Sequence, residues 1–313
     1  MAKVAFVFPG QGSQYVGMGL AMFECYPQAR EIFAKADAYL GFSLSDLCFR
    51  GPEEELRLTT NTQPALLTVS VAIATVLQEM TEEPNYVAGH SLGEYTALVM
   101  AGALSFEEAL GLVRERSRLM EEAVPAGRGS MAAILGLEAA AIRDICREAS
   151  ASGWVEPANY NCPGQVVIAG ETAGIERATE LARQQGAKRI IPLAVSGPFH
   201  SRLMEPAGKK FALYLQQVNW KKPRIPVVAN LTASMVTGTD EIATALEGQM
   251  NNPVRWEEGI NYLISQGTGV FVEVGPGKVL TGLIKKIDKN VLTLNVEDPI
   301  SLEKAIKSLK EVR

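Results

Sequence analysis

Apolar residues fall along this chain in two repeating patterns, short continuous runs and longer stretches at helical spacing. Residues 3–8 form one such run, closed by Pro9-Gly10, as expected of a strand covered on both faces. A second short run, Tyr86-Val87-Ala88-Gly89, leads into His90-Ser91-Leu92-Gly93, after which Leu92, Tyr95, Thr96 and Val99 recur at helical spacing. Helices are expected over 27–40 and 64–80, each with a proline in or near its first turn, where the missing N–H costs little. Ser105 and Glu108 have the spacing of a capping box opening a helix to about Ala123.

Residues 126–197 change character after the linker-like Pro125-Ala126-Gly127-Arg128-Gly129. A strand (130–135), a helix (137–150), two strands (154–159 and 165–170), a helix (173–185) and a strand (188–193) follow. That β-α-β-β-α-β order describes a ferredoxin-like unit. Beyond Ser196 the pattern predicts helix 204–218, strand 225–230, helices 240–250 and 255–266, strand 270–274, a helix ending near Ile287, strand 291–296 and a last helix. Alternation of this kind argues for a parallel sheet covered by helices. The expected class is therefore α/β, a parallel-sheet, hydrolase-like main domain (1–125 and 198–313) with an inserted ferredoxin-like (βαββαβ) subdomain at 126–197.

Composition narrows the function classes. The 313 residues are 47% hydrophobic and 21% charged with net charge −5, which gives no footprint for nucleic acid and ample material for a core. The opening apolar run is too short for a signal peptide, and the helix after Pro64 reaches Gln78-Glu79 too early to span a bilayer. A cytoplasmic protein is expected. Cys25, Cys48, Cys146 and Cys162 are scattered without a C-x-x-C, and there are two histidines, so reduced thiols are expected and no metal site.

The chemistry begins at Gly89-His90-Ser91-Leu92-Gly93. This is G-x-S-x-G between a strand and a helix, the context in which a serine sits on a sharp turn with its hydroxyl lifted clear of the sheet. Free N–H groups at the helix start can hold an oxyanion. The hydroxyl needs a base, and the chain offers His90 and His200. Neighbouring side chains at a strand end point to opposite sides, so His90 is poorly placed and His200 is the expected base. No Asp or Glu between Ser91 and His200 suggests itself as the third member, and a backbone carbonyl could fix the imidazole tautomer instead.

Arg116 is the second signal. Ala109, Leu112, Val113, Met120 and Ala123 share one face of the 106–123 helix, and Arg116 falls within that stripe, while Arg114, Glu115, Arg118, Glu121 and Glu122 lie outward. A buried cation needs an anion. Two anions satisfy the pattern, a buried Asp or Glu of the protein or a substrate carboxylate held by the planar fork.

Pro9-Gly10-Gln11-Gly12-Ser13-Gln14, Gly89-His90-Ser91-Leu92-Gly93-Glu94, Arg116, Asn161 with Gln165, Pro198-Phe199-His200 and Val274-Gly275-Pro276-Gly277 occur in that order. Together they resemble the malonyl-CoA:acyl carrier protein transacylase family over nearly the whole chain. The resemblance implies that Ser91 carries the acyl group and His200 is the base, oriented by the main-chain carbonyl of Gln249. It implies an oxyanion hole from the N–H groups of Gln11 and Leu92, a carboxylate clamp at Arg116, and substrate contacts at Gln63, Phe199 and Asn161. Leu92 and Phe199 stand where, in this family, malonyl-selective members differ from methylmalonyl-selective ones, although one methyl discriminates by only about 1–3 kcal/mol. The expected partners are malonyl-CoA and acyl carrier protein, in a monomer acting without metal or cofactor. A serine hydrolase or thioesterase on the same elbow, a non-catalytic binding module and a trans-acting polyketide acyltransferase are the alternatives.

Overall fold

The computed structural model describes residues 2–125 and 127–312; Met1, Arg313 and Ala126, the first residue expected of the inserted unit, lie outside them. Among the described residues the strands are β1 (Lys3–Phe8), β2 (Tyr86–Gly89), β3 (Gly129–Leu135), β4 (Val155–Cys162), β5 (Gln165–Glu171), β6 (Arg189–Pro192), β7 (Val227–Val228), β8 (Met235–Val236), β9 (Thr268–Val274) and β10 (Leu292–Val296). The larger sheet runs β10-β9-β1-β2-β7-β8, parallel except for β8, which pairs antiparallel with β7. The smaller sheet runs β4-β5-β3-β6 and is antiparallel, as a βαββαβ unit requires. The expected α/β class with a second, ferredoxin-like sheet is what the protein adopts.

The continuous apolar character of β1 has a simple cause. Val4, Phe6 and Phe8 turn to one face and belong to the core that also holds Leu66, Ile73 and Val113, whereas Ala5 and Val7 turn to the other and belong to the core of Trp256, Ile260 and Leu283. A strand with no solvent face has no place for the polar half of a period-two pattern. Each large side chain so enclosed contributes on the order of 1.5–3 kcal/mol. The smaller sheet closes a third core, in which Ile134, Ile142, Ile168, Ile175 and Leu181 meet.

Several boundaries differ from expectation. The helix expected at 64–80 is Thr59–Met80, so Pro64 lies inside it rather than at its start. Its first N–H, on Thr59, is capped from outside by the Glu121 carboxylate at 3.1 Å, which lets the helix begin a turn early. At 22 residues it is long and apolar enough to cross a membrane, contrary to the sequence reading, but 83% of its apolar window is buried inside the protein. Strand 225–230 shrinks to β7, because Pro226 has no N–H to give and Asn230 is drawn into other bonds. The helix expected from 204 opens with a 3₁₀ turn, Arg202–Met204, before Glu205–Leu215. The short helices Leu20–Cys25, Leu44–Arg50 and Glu53–Leu56 carried too few periods to be read.

Candidate active site

Ser91 sits between β2 and the helix Gly93–Met100 with φ of 51°, in the left-handed region that a non-glycine residue adopts only under constraint. The constraint is visible on both sides. A Cβ on Gly89 would lie 1.9 Å from the carbonyl carbon of Gly93, and one on Gly93 would lie 2.1 Å from the carbonyl oxygen of Phe8. The Asn230 side chain clasps the turn, its Oδ1 accepting from Ser91 N at 2.6 Å and its Nδ2 donating to Gly89 O at 2.7 Å.

His200 also has positive φ, 59°, and its Nε2 lies 2.7 Å from Ser91 Oγ. Its Nδ1–H donates to the main-chain carbonyl of Gln249 at 2.8 Å. That bond fixes the tautomer, leaving Nε2 bare and pointed at the hydroxyl proton. Burial, and then the charge of Arg116, push the His200 pKa down to about 3, so the ring is neutral at physiological pH. His90 is turned away. Its Nε2–H donates to Asn161 Oδ1 at 2.8 Å and its ring leans on Trp256, with burial lowering its pKa too.

Arg116 is fully buried in the helix Phe106–Glu122, where the outward residues Arg114, Glu115, Arg118 and Glu122 are at least partly exposed. Its fork meets only neutral oxygens. Nη1 donates to Gln63 Oε1 at 2.7 Å, and Nη2 to Gln249 Oε1 at 2.8 Å and to Ser91 Oγ at 3.0 Å. Among the described residues Nε has no partner, and no carboxylate forms an ion pair with it. Burial pulls its pKa below the ordinary arginine value, yet a guanidinium remains charged near neutral pH. A desolvated cation beside a serine hydroxyl, with no anion bound to it, can receive a carboxylate in bidentate geometry.

Ser91 and His200 face a cavity of about 340 Å³ lined by Gln63, His90, Leu92, Met120, Met131 and Phe199 among others, and Arg116 lies directly behind its wall, bonded to Ser91 and Gln63. Gln11 also lines it, its side chain resting 3.3 Å from Thr59 Oγ1. Neither Gln11 N nor Leu92 N donates to an acceptor among the described residues. Two free N–H groups beside a half-buried hydroxyl can accept a developing oxyanion.

The structure thus brings together Ser91, His200, Gln249, Arg116, Gln63, Gln11, Leu92 and Phe199. Asn161 is placed otherwise. It faces His90 rather than the cavity, and the amide of β4 that lines the cavity is Asn159. Gln165, grouped with Asn161 on sequence, accepts from Lys286 Nζ at 3.2 Å.

Sequence reasoning passed over Asn230, Glu94 and the side chain of Gln249. The signal for Asn230 was available, since it follows a strand of the parallel sheet at the carboxyl end, where crevices form in α/β folds. The signal for Glu94 was one acid in the apolar helix directly behind the elbow. It is buried, its Oε2 accepting from Asn230 N at 2.9 Å and from Gln249 Nε2 at 2.8 Å. Burial raises its pKa to about 7, with those donors and Arg116 opposing.

The sequence profile of the acyl transferase domain family matches residues 5–309. A malonyl CoA-acyl carrier protein transacylase of Bacillus subtilis is 51% identical, covering 99% of this chain and 98% of its own. An acyl-carrier-protein S-malonyltransferase of Burkholderia pseudomallei is 51% identical with a TM-score of 0.95, covering 97% of this chain and 99% of that one. A malonyl-transacylase solved in complex with its type II PKS acyl-carrier protein is 46% identical with a TM-score of 0.96, covering 98% of this chain and 100% of that one.

Proposed function

This chain belongs to the acyl transferase domain family, and from that membership and the cavity geometry we propose how it works as a malonyl-CoA:acyl carrier protein transacylase, through a malonyl-serine. The enzyme moves the malonyl group from malonyl-CoA to the phosphopantetheine thiol of acyl carrier protein. One observation carries the mechanism. Ser91 Oγ lies 2.7 Å from the bare nitrogen of His200 and 3.0 Å from the unpaired cation Arg116.

In the first half-reaction Arg116 exchanges a hydrogen bond to Ser91 for the free carboxylate of malonyl-CoA, with Gln63 steadying the fork from the other side. His200 Nε2 takes the Ser91 proton as Oγ bonds to the thioester carbon. The oxygen that becomes negative is held by the N–H groups of Gln11 and Leu92. The C–S bond then breaks and the imidazolium returns its proton to the CoA sulfur. In the second half-reaction the carrier thiol gives its proton to His200, its sulfur bonds to the same carbon, and Ser91 leaves with the proton. The imidazolium that forms twice is stabilised by the Gln249 carbonyl, in place of an acid.

Exchange of one thioester for another is neither an oxidation nor a reduction, and the steps above call on no metal or cofactor. We read 1–125 with 198–313 as the unit that carries the chemistry and 126–197 as the unit that covers it, in a monomeric cytoplasmic enzyme. Phe199 and Leu92 crowd the acyl α-carbon and favour malonyl over branched groups. The catalytic part of the reading is tested by brief incubation with malonyl-CoA and intact-mass measurement. A malonyl adduct on wild type and none on Ser91→Ala is expected, and unmodified folded wild type would refute it. Arg116→Ala is expected to erase the preference for malonyl-CoA over acetyl-CoA, a loss of about 100-fold or more for a buried charge-assisted pair. Equal selectivity before and after the change would remove the clamp.

A further inference from the structure

Arg116 is a buried cation whose nearest negative charge stands one amide away. Gln249 lies between them. Its Oε1 accepts from Arg116 Nη2 at 2.8 Å, and its Nε2 donates both to Glu94 Oε2 at 2.8 Å and to Ser91 O at 3.0 Å. The same residue's main-chain carbonyl holds His200. Carboxylate, amide and guanidinium therefore form a continuous buried chain that ends on the serine hydroxyl, and it touches the elbow as well, through Gln249 Nε2 on Ser91 O and Glu94 Oε2 on Asn230 N, beside the clasp made by the Asn230 side chain. An amide in that position can be oriented in one sense only, because the acid must receive N–H and the guanidinium must meet oxygen.

We propose that Glu94 is a positioning residue which, through the Gln249 amide, aims the Arg116 fork at the reacting centre and serves as the clamp's internal counter-charge, in competition with the incoming substrate carboxylate. This rests on the malonyl-transfer reading and adds to it a linkage. Arg116, from the helix Phe106–Glu122, and Tyr95, on Glu94's own helix, are the titratable groups acting on Glu94, while β7 and the helix Thr239–Gln249 bring it the amides of Asn230 and Gln249. A malonyl carboxylate on Arg116 cancels the charge that favours ionised Glu94 and adds a like charge nearby, so Glu94 holds its proton more tightly in the loaded enzyme. Reciprocity then makes malonyl binding weaker as Glu94 loses its proton, which happens as pH rises through about 7. An acetyl group has no carboxylate and takes no part in the competition.

The experiment measures KM for malonyl-CoA and acetyl-CoA across neutral pH in wild type and Glu94→Gln, an isosteric change that keeps an oxygen acceptor for both donors. KM for malonyl-CoA is expected to rise roughly threefold to tenfold between about pH 6 and about pH 8 in wild type, and to stay flat in the variant. Acetyl-CoA should show no such slope in either protein, which also removes the titration of CoA itself from the comparison. The same slope in Glu94→Gln, or the same slope with acetyl-CoA, overturns the proposal. A second measurement leaves Glu94 intact, in case the variant does not fold. Calorimetric titration of Ser91→Ala near neutral pH, in buffers of different ionisation heat, should give net proton uptake with malonyl-CoA and none with acetyl-CoA. No uptake with malonyl-CoA overturns it. Loss of the transfer reading would look different, as an absent malonyl adduct or an Arg116→Ala enzyme that keeps its malonyl preference.

Discussion

At the scale of single residues, the two most informative side chains were legible because each broke a pattern. Arg116 stood in an apolar stripe, and that forced a choice between an internal ion pair and a substrate anion. The structure gives it neutral oxygens only, with Glu94 reached through an amide. His200 was legible because the chain has two histidines and one serine elbow. What sequence could not give is its environment, since the neighbouring cation, Arg116, comes from more than eighty positions away and the carbonyl that orients the ring from 49. That environment has a measurable sign. With its pKa pushed from 6.5 down to about 3, His200 stays unprotonated through the acid range in which an exposed histidine charges. Acylation by malonyl-CoA should therefore show no acid limb near 6.5 in kcat/KM, which reports groups of the free enzyme. A rate that fell on lowering pH, with its midpoint near 6.5, would mean that the imidazole is solvated. Stability obeys the same linkage. The unfolded chain takes up a proton below 6.5 that the folded site refuses, so this contribution is present above 6.5 and is lost as pH falls toward about 3. A Tm series descending from neutral pH checks it.

At the scale of elements, the strand-turn-helix elbow was readable because its glycines are required by contact rather than by propensity. The Cβ that Gly93→Ala adds would meet the carbonyl oxygen of Phe8 on β1, a central strand that cannot retreat. Loss of soluble folded protein is expected, and a Gly93→Ala enzyme with wild-type Tm would show that the helix Gly93–Met100 can draw back from β1. The capping box of the Arg116 helix offers the opposite case. Ser105 Oγ accepts from Glu108 N, and Glu108 returns a bond to Ser105 N at 3.1 Å. Ser105→Ala should lower stability by about 1 kcal/mol with the activity of the folded enzyme unchanged, read as a Tm shift beside a kcat/KM ratio. The elements that escaped sequence reading share a cause. Pro64 marks no helix start because the cap on Thr59 comes from Glu121, a tertiary partner. β7 is a two-residue strand because tertiary bonds claim the rest of its run.

At the scale of the molecule, the order of elements announced the smaller sheet, but nothing in the order told where it would dock. The docking is made by backbone. Val254 N donates to Ala158 O and Tyr160 N to Val254 O, each at 2.9 Å, so the edge strand β4 adds itself to the segment just after Gln249. A second tie runs to the other side of the base. Glu156 on β4 accepts from Arg202 N at 2.5 Å, and the Arg202 guanidinium stacks 3.6 Å over the Trp154 ring. His200 is therefore held between a carbonyl and a loop that both lean on the smaller sheet; the carbonyl is that of Gln249, whose side chain also meets Arg116, whereas the loop tied through Arg202 carries the base alone. Base and clamp thus share one support, Gln249, and the base has a second of its own. Loosening the Arg202 tie should misplace the base without disturbing the clamp, and displacements of about 1 Å are enough to cost up to 100-fold in rate. Glu156→Ala with Trp154→Ala is expected to lower kcat about tenfold with either malonyl-CoA or carrier protein as the varied substrate, while malonyl-over-acetyl selectivity stays at the wild-type ratio. Selectivity that fell in step with kcat would place the clamp under the control of that loop as well, and the separate support of the base would have to be abandoned.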